Sequence, residues 1–505
     1  MDNAVRYPKN EEPRGLGSTI FRNTLFITSG STIIRLVGFL FSVYIIRDLG
    51  GAQYGQYAIV LQFVGLFQIF LELGMTQFVM RSIAQDRSRT ETLLWNLVVL
   101  RVLLALAGLI LIPVIGILFG YSQEMVLGIF LYSTSFIFAA FLVPLQTVLV
   151  GHERYDYATV LNVIGRLGFF ALGGILLLLG GGYISLIAAS LLVMPFQIAY
   201  AAWTVRKQHI VTLRPTIQPR TWPSILRSGL PFGIISLFLT IAFSIDTVML
   251  SWYEPDYAVG WYNVAYGLIP SFLFFFGGFS NAIIPSLSKT YVTDPVEVNR
   301  WYRASVKFIL MISMPIAVGG MILSIPLILF LYTDEYLPSA IALKVLIWDV
   351  PFIMFASFGG NMTTIVSEEK SAARIYGINM AANVLLNLIA IPRFGVIGAA
   401  LVTVVTDFIG ALQFHFLLRR KLELPAVASV LVRVIAASAI MGLIIWQLDD
   451  WNMFMLIGLG AVIYGGLLIV FRVLTHDEWK AIRQGLRKVI STITSRSKLG
   501  EKPTS

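Results

Sequence analysis

The chain has 505 residues, 57% of them hydrophobic and only 13% charged, and its mean hydropathy is +0.80. A soluble domain carries about 25% charged residues, so this composition excludes an ordinary soluble enzyme or binding module and indicates an integral membrane protein. The net charge of +10 does not indicate nucleic-acid binding, because the basic residues are spread over loops and no zinc-finger or RNA-binding signature occurs. The absence of cysteine excludes disulfide, iron–sulfur and thiolate chemistry. The histidines, His152, His209, His415 and His476, lack metal-ligand spacing, so neither a metal nor a cofactor is expected.

Residues 1–18 are polar and interrupted by Pro and Gly, and read as a short disordered cytoplasmic tail without signal-peptide character. Apolar spans long enough to cross a bilayer follow at 19–47, 52–80, 92–119, 124–150, 155–179 and 183–206. A polar, proline-containing linker occupies 207–223. Further spans lie at 224–252, 257–287, 303–332, 337–366, 371–391, 396–418, 426–448 and 452–473. The expected fold is all-α, a polytopic membrane protein of about fourteen transmembrane helices. Pro113, Pro144, Pro195, Pro231, Pro270, Pro315 and Pro351 fall within spans, where they are tolerated and can act as kinks.

A weak repeat organises the first twelve spans. Tyr54-Gly-Gln-Tyr57 matches Val259-Gly-Trp-Tyr262, and Gly182-Tyr-Ile-Ser-Leu-Ile-Ala-Ala-Ser190 matches Gly395-Val-Ile-Gly-Ala-Ala-Leu-Val-Thr403. The offsets, about 205 and about 213 residues, imply two pseudo-symmetric six-helix lobes of like orientation, over 19–206 and 224–421. Two additional helices occupy 422–474. Residues 475–505 form a tail in which Trp479, Ile482, Leu486, Val489 and Ile493 recur at helical spacing, an amphipathic cytoplasmic helix that lies on the membrane or docks on the bundle.

Loop charge sets the orientation. With the N-terminus inside, inner segments hold about 30 of the Lys and Arg residues and outer loops about two, which puts both termini in the cytoplasm. The outer loops are acidic instead, at Glu254, Asp256, Asp334, Glu335, Asp449 and Asp450.

Charges inside spans mark the polar interior. Arg35 sits about sixteen residues into the first span, near the middle of a hydrocarbon layer roughly 30 Å thick, and Glu72 lies deep in the second. Arg101 and Arg166 lie within the third and fifth. A charge at that depth costs a few kcal/mol or more unless it faces a partner or a wet cavity. The acids Asp246, Asp349 and Asp407 fall within spans of the second half. Asp246, about six residues from an outer end, reads as the wettest, while Asp349 shares the 337–366 span with Lys344.

Arg35, Phe39, Arg47-Asp-Leu-Gly50, Tyr54-Gly-Gln-Tyr57, Glu72-Leu-Gly74 and Arg81-Ser-Ile-Ala84 together resemble the polysaccharide transporter branch of the multidrug/oligosaccharidyl-lipid/polysaccharide (MOP) exporter superfamily. So does Phe394-Gly-Val-Ile-Gly-Ala-Ala400, which enters a span ending in Arg419-Arg-Lys421. The resemblance covers residues from about 20 to 475. It implies an inner-membrane flippase that moves a polyprenyl-diphosphate-linked oligosaccharide by alternating access between two lobes, with the last two helices offering a groove for the lipid tail. It also implies membrane lipids, and glycosyltransferases and a polymerase of the same pathway, as partners.

For such a substrate, Arg35, Arg101 and Arg166 are the candidates for a diphosphate-binding cavity, with Glu72 tuning them, because guanidinium groups fork onto phosphate oxygens. Asn162, Gln62, Gln68, Gln77, Gln146, Asn281, Asn361, Asn379, Asn383 and Asn387 supply polar groups inside or near spans, where helix-to-helix hydrogen bonding is their commoner role. Asp246, Asp349 and Asp407 are the candidates for coupling to a proton or sodium gradient. No G-x-x-x-x-G-K-[ST] loop occurs, so an intrinsic ATPase is not expected. The alternatives are a cation-coupled multidrug exporter of the same superfamily, disfavoured by the Arg-rich first lobe, and a polytopic glycosyltransferase or polymerase. The latter is disfavoured because outer loops of about ten residues or fewer leave little room for catalytic groups. The expectation is therefore a transporter and not an enzyme.

Overall fold

The computed structural model describes residues 16–212, 214–422 and 428–474, with side chains from residue 34 onward except at 274, 275, 281, 282, 292, 295, 296 and 428. The tail expected at 1–18 therefore lies almost wholly outside the described residues, and the amphipathic tail at 475–505 wholly so.

Among the described residues the regular structure is helical, with no strand. Leu16–Glu72 (α1) and Met75–Gln85 (α2) are followed by Thr90–Leu118 (α3), Gln123–Gly151 (α4), Tyr155–Leu178 (α5) and Tyr183–Lys207 (α6). Next come Trp222–Tyr253 (α7), Asp256–Phe272 (α8), Phe274–Thr293 (α9), Pro295–Ile322 (α10) and Ser324–Leu331 (α11). Leu337–Leu346 (α12), Asp349–Ile365 (α13), Glu369–Leu422 (α14), Ala428–Trp446 (α15) and Met453–Val470 (α16) complete the order. Helices dominate because each satisfies its own backbone hydrogen bonds where no water is available.

Eleven helices are long and apolar enough to cross a membrane, and α12 with α13, bent by 50°, make a twelfth span. Both α1 and α14 contain a glycine at which the helix folds back, Gly50 (φ 68°) and Gly395 (φ 54°). Counting their limbs separately adds one span each to the twelve, giving fourteen among the described residues.

Prolines are tolerated within the spans. Pro113, Pro144, Pro195 and Pro315 lie inside continuous helices. The chain breaks instead where residues enter the left-handed region, at Gly50, at Leu73 (φ 45°) with Gly74 (φ 69°), and at Gly395. A left-handed residue reverses chain direction within one peptide, which a proline fixed near φ −65° does not do. The span expected at 337–366 is likewise two helices, so Lys344 and Asp349 stand on different elements.

Two compact units divide the chain, Met1–Leu237 and Phe238–Ser505, and the division falls inside α7. The core of the first unit joins α2 to α6 through Met75, Val79, Leu97, Val148, Leu161 and Val205, all buried. The linker after α6 is strapped to α3. Asn96, fully buried, accepts hydrogen bonds from Gln218 N (2.9 Å) and Trp222 Nε1 (2.8 Å) and donates to Thr216 O (3.2 Å). Glu91, one turn earlier, accepts from Thr212 Oγ1 and from the Arg214 backbone N–H. These bonds satisfy linker backbone groups that would otherwise stand idle.

Candidate functional site

In the first unit the break between α1 and α2 sets the geometry. Gly74 lies against the α7 backbone so closely that a Cβ there would collide with Gly229 O. A Cβ on Gly229 would in turn come 2.8 Å from Leu73 O, and one on Gly233 2.9 Å from Leu73 C. Three glycines thus let two backbones touch, the small-residue approach that membrane helices use.

On either side of this break stand Glu72 and Thr76. Arg101 of α3 is 6% exposed and donates from Nη1 to Thr76 Oγ1 at 3.0 Å, and Glu72 acts on its charge. Arg35 and Arg166 are placed differently. Phe41 of α1 packs on Phe169 and Phe170 of α5 with centroids 5.6 and 5.0 Å apart, and Gly38 faces Phe170. This register brings Arg35 level with Arg166 on the neighbouring helix. Both are exposed in the chain, as is Asn162 one turn before Arg166. Of the four residues expected to share a cavity, Arg101 is buried, Glu72 is half-buried, and Arg35 and Arg166 are exposed.

The second unit brings its three candidate acids close together. Asp246 is 2% exposed, which corrects its reading as the wettest acid. Its Oδ2 accepts from Thr403 Oγ1 (2.6 Å) and Tyr262 Oη (2.9 Å), and its Oδ1 from Asn387 Nδ2 (2.6 Å). Asn387 also donates to Asn383 Oδ1 at 3.1 Å, while its own Oδ1 is buried without a hydrogen-bond partner. Asp349, buried on α13, and Asp407, half-buried on α14, lie close enough for their charges to act on one another. Tyr266 feels the charge of all three acids. Tyr262, Tyr266 and Thr403 were missed by sequence reasoning. The Tyr257–Tyr266 aromatic run was a signal for the tyrosines, but nothing local marked Thr403.

Among the described residues no three His, Asp or Glu side chains are arranged to hold a metal ion. The second unit also has an apolar groove of about 470 Å³ between α10, α15 and α16, lined by Met311, Pro315, Leu323, Met441, Ile445 and Ile457.

Charge buried among membrane helices, an apolar groove and a chain folded into two helical units define a class, the multi-pass transporters of the MOP exporter superfamily. The chain belongs to the polysaccharide biosynthesis protein family, which matches residues 20–291, and the MatE family matches residues 231–393. A probable lipid II flippase MurJ from Haemophilus influenzae is 24% identical over 63% of this chain and 71% of its own length. Among solved structures, a lipid II flippase MurJ in an inward closed conformation superposes with a TM-score of 0.75, at 19% identity, over 89% of this chain and 99% of its own. An inward-facing multidrug resistance MATE family transporter gives 0.65 at 17% identity, over 77% and 94%. These likenesses establish the shared two-lobe helical fold.

Proposed function

We propose that this protein is a flippase that carries a polyprenyl-diphosphate-linked oligosaccharide from the cytoplasmic to the outer leaflet of the cytoplasmic membrane by alternating access, both termini being cytoplasmic. The apolar groove along α15 and α16 carries the reading, because it offers a hydrocarbon tail a continuous surface of Met, Leu and Ile side chains. Arg35, Arg101 and Arg166 supply the cationic partners for a diphosphate. Arg101 uses one guanidinium nitrogen on Thr76 and has further N–H groups for phosphate oxygens.

Transport is coupled to an ion at the acids of the second unit. The Asp246 carboxylate, Thr403 Oγ1 and the unpartnered Asn387 Oδ1 are hard oxygen donors suited to a small cation. The neighbouring Asp349 and Asp407 carboxyls are suited to a shared proton. A second reading, export of cationic drugs, is favoured by the MatE match and these acids.

The test is a leaflet-specific assay of fluorescent lipid-linked oligosaccharide in proteoliposomes, with an organic cation assayed in parallel. Arg35→Ala, Arg101→Ala and Arg166→Ala are expected to slow flipping, and collapse of both proton and sodium gradients to abolish it. Wild-type flipping by all three variants would remove the cationic site. Flipping that persists without gradients would remove the coupling, and efflux of the cation in place of the glycolipid would select the drug exporter.

A further inference from the structure

A second cavity in the Phe238–Ser505 unit, about 220 Å³ in volume, lies among α7, α8, α13 and α14. It is built into the fold and is not a flaw in packing. Four glycines leave room for the side chains that shape it. A Cβ at Gly410 would collide with Asn379 Nδ2, and one at Gly360 with Tyr376 Oη. At Gly359 it would lie 2.6 Å from Phe414 Cβ, and at Gly377 3.0 Å from Phe238 Cε2. Tyr376, Asn379, Phe414 and Phe238 all line the cavity.

The lining sorts into two kinds of chemistry. Tyr266, Tyr376 and Phe414 present aromatic rings, the last two meeting edge to face at 5.3 Å. Asn379, Thr406 and Asp407 present hydrogen-bonding groups. Asn379 Oδ1 is buried without a partner. A buried acceptor of this kind calls for a donor. No Lys or Arg lines the cavity, and Asp407 repels a phosphate. Ring faces beside several acceptors suit a neutral ligand that has apolar C–H faces and many hydroxyl donors. The volume falls below the roughly 300–1,000 Å³ of drug-sized sites, which admits a single ring.

We propose that this cavity is a carbohydrate subsite that holds one sugar ring of the transported glycan, with Asn379 and Asp407 accepting its hydroxyls and Tyr266, Tyr376 and Phe414 packing on its faces. The proposal rests on the flippase reading for its source of sugar. It separates the recognition of the neutral glycan, in the second unit, from that of the diphosphate by arginines of the first.

Saturation-transfer NMR on the full-length protein in nanodiscs tests it, with methyl α-glucopyranoside, methyl α-galactopyranoside and N-acetylglucosamine as probes and tetraphenylphosphonium as the competing cation. At least one sugar is expected to receive saturation. The signal is expected to fall at least fivefold in Asn379→Leu, which removes the acceptor, and in Gly410→Ala, which drives Asn379 into the cavity. Should Gly410→Ala fail to fold, as read by size-exclusion elution, Asn379→Leu decides alone. No saturation of any sugar, unchanged saturation in Asn379→Leu, or binding of tetraphenylphosphonium instead would overturn the subsite. The leaflet assay separates the two readings. A wild-type protein that flips the glycolipid but binds no sugar loses the subsite and keeps the transport function, while one that binds sugar and flips nothing keeps the subsite and loses the transport function.

Discussion

Arg101 and Asp246 are buried to similar depth, 6% and 2% exposed, yet their surroundings differ. Arg101 stands beside a helix break, with a hydrogen bond to Thr76 and a carboxylate, Glu72, acting on it. Asp246 is bound on both oxygens by donors from residues 141 and 157 positions away, Asn387 and Thr403, and by Tyr262. A guanidinium has five N–H donors, so Arg101 retains capacity for a ligand, whereas Asp246 is tied into the packing of its unit. The difference teaches that the same cost of burying charge is met in one unit by one hydroxyl and a nearby carboxylate, and in the other by a network of donors distant in the chain.

Replacing Asp246 by Ala should have the largest effect, because it removes the acceptor that three buried donors share. A loss of about 2–4 kcal/mol is expected, read as a lowered Tm in detergent. Asp246→Asn, which keeps the shape, should restore most of that stability while losing the ion dependence of flipping. Equal Tm for Asp246→Ala and wild type would break the contrast.

Gly74→Ala comes next, at about 1–3 kcal/mol, since it combines a left-handed backbone with a Cβ placed against Gly229 O. Asn96→Ala should cost about 1–3 kcal/mol by orphaning Gln218 N and Trp222 Nε1. Hydrogen exchange of the linker amides would locate that loss. Arg101→Ala sharpens the comparison from the other side. Flipping should fall at least about tenfold, equivalent to about 1.4 kcal/mol of barrier, with Tm changed by less than in Asp246→Ala.

The smallest effect belongs to a charge outside both sites. Glu368 accepts from Lys421 at 2.6 Å and from Ser371, and these bonds, the Lys421 contact first, hold its carboxyl below the ordinary glutamate value of 4.5. A depressed carboxylate contributes stability that is present above 4.5 and lost as pH falls through the folded-state value. The small Tm advantage of wild type over Glu368→Gln should therefore exist at pH 7 and vanish on acidification. An advantage that grew on acidification would reverse the sign.

Much of the candidate site was legible in the chain, because a charged residue in a long apolar run is conspicuous wherever it stands. Arg35, Arg101, Arg166, Glu72, Asp246, Asp349 and Asp407 were found that way. Their grouping was not legible. Phe41 packing on Phe169 and Phe170 sets the register of Arg35 against Arg166, and Arg101 is held by Thr76. Distance from a span end also misjudged Asp246, since depth along a helix says nothing of which neighbours surround a face. Thr403 and Tyr262 are ordinary residues until folding brings them to a carboxylate.

The sequence alone determined that the chain lives in a membrane, that it is helical, and which charges lie within its spans. Composition and apolar length decide these because the bilayer admits few solutions for a backbone that must satisfy its own hydrogen bonds. Only the tertiary structure decided that the breaks fall at Gly50, Gly74 and Gly395, with prolines inside continuous helices, and that Gly229 and Gly233 back one of those breaks. Only it brought Asp349 near Asp407 and opened a cavity behind four glycines. Each of these depends on contacts between residues distant in the chain, where backbone approach and hydrogen-bond pairing are settled by packing and not by local pattern.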